Sequence, residues 1–153
     1  MRRTRGKGPS VPYARFEKLW SGIGLNYLEL RQNVIDDLIS LFVGFSTYKY
    51  VSMNDAVNGL FTHSHRNLRF VATASLLSFL RGLAELEHDK LESLSMERGK
   101  KKVAAERELA RIHEVREQLY MEVICHRIRD VYTPIRELAT YYLGMSIDWN
   151  LSL

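Results

Sequence analysis

Residues 66–97, RNLRFVATASLLSFLRGLAELEHDKLESLSME, decide the fold of this chain. Large apolar side chains recur in this stretch at intervals of three or four residues, which is the spacing of one face of an α-helix. A single helix over this range would be about 48 Å long. Gly99 follows closely, and glycine often ends a helix because it adopts positive φ without steric cost. The stretch therefore predicts one long helix that ends near Gly99.

The sequence after Gly99 predicts a second long helix that returns along the first. The polar run RGKKK at 98–102 suits a tight turn, and helical periodicity resumes over 101–131. The first half of this second helix is dominated by charged residues, whereas its second half, YMEVICHRIRDVY at 120–132, is much more apolar. We therefore expect an antiparallel helical hairpin whose base packs into the body. Its tip, residues 90–112, should project or meet a neighbour.

Helical patterns also precede the hairpin. Residues 25–43 carry apolar side chains on one face, and Gly44 suits the end of that helix. A capping-box pattern opens a short helix over 52–61. Between these two helices, FSTYKYVS at 45–52 alternates as a strand would, yet no partner strand occurs elsewhere in the chain. We interpret it as an extended connector.

The end of the chain predicts one more helix and an apolar tail. Thr133 and Pro134 suit the first positions of a helix that we expect to end at Gly144. Residues 145–153 then alternate apolar with polar side chains, so they must pack on their own body or, as we favour, on another subunit. The chain as a whole therefore predicts an all-α fold. A helical bundle over 21–144 lies between an N-terminal segment, 1–20, and the apolar C-terminal tail.

The N-terminal segment holds almost all of the excess charge. Six of the 22 Lys and Arg residues lie within residues 1–20, but only one of the 18 Asp and Glu residues does. The other 133 residues therefore carry 16 basic against 17 acidic side chains and are close to neutral. This distribution indicates that the segment, rather than the general surface of the body, meets a polyanion such as nucleic acid.

The segment divides into a tail and a short helix. Residues 1–9 contain glycine and proline but no large apolar side chain after Met1, so we expect them to be disordered until bound. From Ser10 onward, apolar residues recur at helical spacing, namely Tyr13, Phe16, Leu19 and Trp20. These side chains should anchor a short amphipathic helix on the body, while the cations on its other side reach phosphate.

Other functional classes have weak signals. No Gly-rich phosphate loop or nucleophile motif occurs, and a single cysteine, Cys125, excludes an internal disulfide. The pairs Glu85 with His88 and Glu122 with His126 have helical spacing, but the further ligands of a di-metal site are missing, so exposed helix charges are the preferred interpretation. No apolar run approaches 18 residues, which predicts no membrane-spanning helix. We expect no catalytic site, metal or cofactor.

The start of the chain resembles that of a viral coat protein. A basic segment with glycine and proline leads into Tyr13, Arg15, Phe16, Lys18 and Trp20, which is similar to the helical major coat proteins of filamentous archaeal viruses of the rudivirus and lipothrixvirus type. The resemblance covers about 20 of 153 residues. It implies an N-terminal arm that wraps double-stranded DNA held in the A form. It also implies a location in the virion, with assembly in the host cytoplasm.

The same resemblance implies a partner subunit, which is either a second copy or a paralogous coat protein. The hairpin over 66–131 is more charged than in the naked rods of that family, which favours a type with two paired coat proteins or an envelope. A direct membrane contact is not indicated by the residues themselves.

The sequence thus predicts a structural protein that coats and packages duplex DNA through contacts that do not depend on base sequence. The residues expected to contact phosphate are Arg2, Arg3, Arg5, Lys7, Arg15 and Lys18. The alternative is a small helical DNA- or RNA-binding regulator or adaptor that dimerises through the hairpin over 66–131. An enzyme is a third hypothesis, and the motifs favour it least.

Overall fold

A computed structural model describes the backbone of residues 11–46 and 60–151, and the side chains of residues 14–45 and 66–145. Every regular element in these ranges is helical, and they contain no strand. The prediction of an all-α helical bundle is therefore confirmed. In chain order the elements are α1 (Val11–Leu25), a 3₁₀ turn (Tyr27–Glu29), α2 (Gln32–Ser46), α3 (Leu60–Leu94), α4 (Lys100–Leu119), a π-helical turn (Tyr120–Ile124), α5 (Cys125–Arg127) and α6 (Thr133–Leu151).

Helix α3 lies at the centre of the bundle. Residues 72–80 are all buried, so this part of the helix is enclosed on every side and not only along one stripe. Helices α1, α2, α4 and α6 pack around it. The side chains of Leu76, Phe79, Leu80 and Leu83 are almost completely shielded from solvent and form the middle of the core. The stretch with the strongest helical pattern is therefore also the scaffold on which the other helices lie.

Helices α3 and α4 form an antiparallel pair. Among the described residues, three ion pairs connect α3 with the returning chain, and the nearer a residue lies to the start of α3, the later its partner comes in the return. The pairs are Lys90 with Glu108 at 2.7 Å, Glu87 with Arg116, and Arg69 with Asp130 at 3.0 Å. At the far end of the pair, Met96 in the turn is 88% exposed. The turn at the tip of the hairpin is therefore open to solvent.

Gly99 has the positive φ that its residue type predicts, but it lies at the start of α4 and does not end α3. Its φ is +64°, and it stands at the N-cap of α4, whereas α3 has already ended at Leu94. The four residues between Leu94 and Gly99 form the turn, with backbone hydrogen bonds from the N–H groups of Met96 and Glu97 to the carbonyls of Ser93 and Leu94. The predicted end of α3 at residue 97 is thus a few residues too late.

Several other predicted boundaries are wrong, and glycine is the common reason. Helix α1 continues through Gly22 and Gly24, so the next helix begins at Gln32 instead of residue 25. Helix α2 passes through Gly44 to Ser46, and α6 passes through Gly144 to Leu151. Glycine weakens a helix by about 1 kcal/mol but does not block it, and helical neighbours on both sides carry the helix through.

The last helix also changes the interpretation of the C-terminal tail. Residues 145–151 extend α6 and do not form a separate segment with alternating sides. Most of the predicted short helix over 52–61 and most of the connector over 45–52 fall on residues 47–59, outside the described residues. Residues 60 and 61 belong to α3, which begins at Leu60 and not at the predicted residue 66.

Candidate nucleic-acid interface

The structure describes two of the six cations predicted to contact phosphate. Arg15 and Lys18 lie on α1, and both side chains are exposed. Arg2, Arg3, Arg5 and Lys7 lie outside the described residues. The two described cations are three residues apart, so they lie on the same side of α1, one turn from each other. They therefore continue the basic segment onto a helix that belongs to the bundle.

The opposite side of α1 packs into the core through aromatic contacts. The Trp20 ring meets the Phe42 ring edge to face, with 5.3 Å between ring centroids and 61° between their planes, and Phe42 in turn lies 5.4 Å from Phe79. Phe16 is half-buried, as an anchor residue should be. Leu19 is 61% exposed, so the prediction that it belongs to the anchoring stripe is wrong. Helix α1 is thus fixed by fewer large side chains than its pattern predicted.

Two glycines make up for those missing side chains by letting two helix backbones touch. A Cβ atom on Gly24 would collide with the carbonyl oxygen of Phe79, and one on Gly82 would collide with the carbonyl oxygen of Ser21. Both obstructing atoms belong to the backbone and cannot swing away. Small residues at a helix crossing allow this close approach, which increases van der Waals contact along both backbones. Helix α1 is therefore seated directly on the central helix.

The groove beside α1 has mixed charge. It has a volume of about 290 Å³, and Lys18 shares it with Arg81 of α3 and with two carboxylates, Glu17 and Glu85. These carboxylates offset the two cations within the groove. The groove is therefore close to neutral, and the excess positive charge near α1 comes from Arg15, which does not line it, and from the cations that precede α1 in the sequence.

A second cationic site lies in the body, and no pattern in the sequence indicates it. Arg69 of α3, Arg127 of α5 and Asp130 are each about 95% buried and form what we call the arginine cluster. Arg69 donates two hydrogen bonds to Asp130, from Nε to Oδ2 at 3.2 Å and from Nη2 to Oδ1 at 3.0 Å. Arg127 donates from Nη1 to Oδ2 at 2.5 Å, and the backbone N–H of Tyr132 donates to Oδ1 at 2.8 Å.

The electrostatics of the arginine cluster follow from this arrangement. Burial opposes ionisation of Asp130, but the hydrogen bonds from Arg69 and the Tyr132 N–H, with the charges of both arginines, lower the pKa of the carboxyl below its ordinary value. Burial also lowers the pKa of Arg127, against the attraction of Asp130. Asp130 is thus ionised at neutral pH, and it is shared by two guanidinium groups.

The arginine cluster lines a cleft of about 680 Å³, together with Cys125, His126, Arg129 and Val131. Arg129 and His126 lie at its edge. Arg136 of α6 closes the neighbouring turn by donating from Nη1 to the backbone carbonyl of Asp130 at 2.9 Å. The described residues therefore place three arginines and one carboxylate in the walls of the cleft.

The π-helical turn determines which residues of this segment face the core. Ile112 is buried and marks the direction of the core. In a straight α-helix, His126 would lie only about 40° from Ile112 around the helix axis and would face the core, whereas Ile124 would lie about 120° away. The structure shows the opposite, because Ile124 is buried and His126 is exposed. A π turn has more residues per turn, so it delays the rotation of the residues that follow. It thereby directs His126 to the cleft edge.

The metal-ligand pairs considered from the sequence do not come together. Glu85 and Glu122 are exposed, and His88 lies 3.4 Å from Glu92 on its own helix. Within the described residues, no group of three or more His, Cys, Asp or Glu side chains is placed to hold a metal ion. No helix in the described part of the chain is long and apolar enough to cross a membrane.

Comparisons with known proteins give no relative for this chain. No protein-family model, no curated protein and no solved structure matches it. Its function is therefore inferred from the residues and their geometry.

Proposed function

We propose that this chain is a structural protein that coats and packages double-stranded DNA, with its N-terminal segment on the phosphates and its helical body as the repeating unit of an assembly. Phosphate contacts position a protein on DNA without reading bases, which is what a coat needs in order to cover every sequence. The resemblance of residues 1–20 to the start of filamentous-virus coat proteins supports the same proposal, with a virion as the location.

One observation carries this proposal. Arg15 and Lys18 are exposed on a helix that is seated on the central helix through Gly24 and Gly82. A basic segment attached to a loosely packed helix would bind DNA without fixing the position of the body. Because α1 is held backbone to backbone, a DNA segment bound along residues 1–18 would have a defined orientation relative to the bundle. A helical filament with regular symmetry requires such a fixed relationship.

Exposed apolar side chains support the self-association that a coat also needs. Leu19 on α1 is 61% exposed, Leu41 on α2 is 51% exposed and Tyr141 on α6 is 70% exposed. Single exposed apolar residues are common on soluble proteins. Here Leu19, Leu41 and Tyr141 lie on three different helices of the body. A repeating unit could therefore make apolar contacts with its neighbours through more than one helix.

Electron microscopy tests the proposal directly. Purified protein mixed with arbitrary duplex DNA at low salt should give filaments whose length follows the length of the DNA. Duplexes of different base composition should give the same filaments. Discrete dimers on DNA, with no filaments at any protein-to-DNA ratio, would contradict the proposal.

The hairpin tip favours the alternative function, a helical regulator or adaptor. Leu91, Met96 and Val103 are exposed there, and all three lie in the predicted tip region over 90–112. If two copies met through this tip, the result would be a discrete dimer. The same microscopy experiment separates the two functions, because this alternative gives discrete particles.

A further inference from the structure

We propose that the cleft beside the arginine cluster binds a phosphate group. This site goes beyond the proposed function, because it lies in the helical body at Arg69 and residues 126–130 and involves none of the cations of the N-terminal segment. Three features support it, which are the saturated carboxylate, the unpaired buried donor of Arg127, and the shape and lining of the cleft.

The carboxylate of Asp130 has no acceptor position left. A carboxylate offers about four lone-pair positions, and Asp130 uses them for two bonds from Arg69, one from Arg127 and one from the Tyr132 N–H. Two buried guanidinium groups therefore share a single negative charge. An uncompensated buried charge is costly, so an anion that entered the cleft would offset it.

Arg127 supplies the unpaired donor. This residue is 6% exposed, and its Nε atom is shielded from solvent with no acceptor among the described residues. Buried polar groups nearly always have partners, and a donor that lacks one calls for an explanation such as a missing ligand. Arg127 also lines the cleft, so an oxyanion bound there would supply that partner once the guanidinium group turns toward it.

The lining favours phosphate over a smaller anion. Arginine presents planar, forked donors that match phosphate oxygens, and Arg129 and His126 at the cleft edge offer additional donors. A volume of about 680 Å³ exceeds what one phosphate needs and is typical of pockets for small organic ligands. The phosphate could thus belong to a nucleotide, either free or within a nucleic-acid backbone.

Calorimetric titration of the full chain with sodium phosphate, at constant ionic strength, tests the proposal. We expect saturable binding to one site, and sodium acetate should bind at least about tenfold more weakly because it offers fewer acceptor oxygens. Equal heats from phosphate, acetate and chloride would overturn the proposal, because they would show only general charge screening.

Variants locate the binding in the cleft. Arg129→Gln removes an edge donor and should weaken phosphate binding about tenfold, as expected for a charged hydrogen bond. Arg107→Gln, at an exposed position of α4 outside the cleft, removes the same charge and should leave the affinity unchanged. Arg127→Lys keeps the charge but loses the fork, and it should also weaken binding if circular dichroism shows that it folds. Equal affinities for Arg129→Gln and Arg107→Gln would overturn the assignment.

Competition identifies the source of the phosphate. A nucleoside 5′-monophosphate, its unphosphorylated nucleoside and duplex DNA are each added to the phosphate-bound protein. Displacement by duplex DNA supports a backbone phosphate, displacement by the monophosphate alone supports a free nucleotide, and displacement by the nucleoside contradicts phosphate recognition. A chain without residues 1–10 should retain phosphate binding even if it no longer coats DNA, so the two proposals can fail independently.

Discussion

Gly24 of α1 and Gly82 of α3 each lie against the backbone of the other helix, and neither position has room for a Cβ atom. This contact connects the fold to the proposed function, because α1 carries Arg15 and Lys18 and continues directly from the basic segment. Any side chain at either position would push α1 off the central helix and would change the direction in which the basic segment leaves the body.

Gly24→Ala should therefore lower the free energy of unfolding by about 2 kcal/mol or more, the usual range for overpacking against atoms that cannot relax. Gly22→Ala is the matched control, since it lies in the same helix and a Cβ atom there would have nothing within 4 Å. Alanine at that position should raise stability by about 0.5 to 1 kcal/mol, because it is the better helix former. Urea denaturation measures both effects. Equal responses of the two variants would show that the close crossing is absent.

Asp130→Asn should destabilise the protein strongly. The substitution leaves the two buried arginines without a counter-charge, and the loss of one partner of a buried ion pair costs about 3 to 5 kcal/mol. Glu137→Gln on α6 removes one negative charge from outside the cluster and should change stability by less than about 0.5 kcal/mol. Chemical denaturation at neutral pH measures the free energy of unfolding of both variants. A small decrease for Asp130→Asn would mean that the arginine cluster contributes little to stability.

Stability should also depend on pH through Asp130. The folded protein holds the pKa of this carboxyl below its ordinary value, so the unfolded chain takes up the proton first as the pH falls. Asp130 therefore contributes to the free energy of unfolding in full above the ordinary carboxyl pKa of about 4. This contribution is lost as the pH falls through the lowered pKa of the folded protein. Between pH 5 and pH 2, the free energy of unfolding should therefore fall less steeply with pH for Asp130→Asn than for the unchanged chain. Parallel pH profiles would contradict the ion pairing.

Leu19→Ser and Val103→Ser separate the two modes of self-association. Both side chains are exposed, at 61% and 48%, so neither substitution should change stability by more than about 0.5 kcal/mol. If the chain coats DNA through contacts of its body, Leu19→Ser should reduce filament formation and Val103→Ser should not. Light scattering with duplex DNA measures this difference. The opposite result would favour dimerisation through the hairpin tip.

The sequence predicted the long helix and its antiparallel return because each has a strong apolar period over many turns. It placed helix ends poorly, since Gly44 and Gly144 suit the ends of helices but α2 and α6 continue through them. One signal for the glycine crossing was present in the pattern. Gly82 stands within the apolar face of α3, where a large residue is expected, and small residues at such positions often mark a close helix contact.

The arginine cluster could not have been predicted. Arg69 and Asp130 are 61 residues apart in the chain. Arg69 stands between Leu68 and Phe70, and neither residue belongs to a motif that sets it apart from an ordinary exposed charge on a helix. Their burial depends on the antiparallel register of α3 with the return and on the π turn at residues 120–124, which no pattern of residue types specifies.

The start of α1 at Val11 decides which truncation can test the N-terminal segment. Residues 11–18 belong to α1, whose Trp20 and Ile23 pack against the core, so removal of residues 1–18 would cut into the bundle. Removal of residues 1–10 spares α1 and deletes Arg2, Arg3, Arg5 and Lys7. Arg15→Gln with Lys18→Gln then removes the two cations on the helix without shortening it.

The salt dependence of binding to duplex DNA tests the central claim most directly. If six cations neutralise about six phosphates, the slope of log affinity against log salt should be about −5 for the full chain. The slope should not vary with base sequence. The chain without residues 1–10 should have a slope of about −2, and the double variant on α1 a slope of about −4. A truncated chain that keeps the full slope would contradict the claim, because the phosphates would then be held by basic groups of the body, such as Arg66 or Lys100–Lys102.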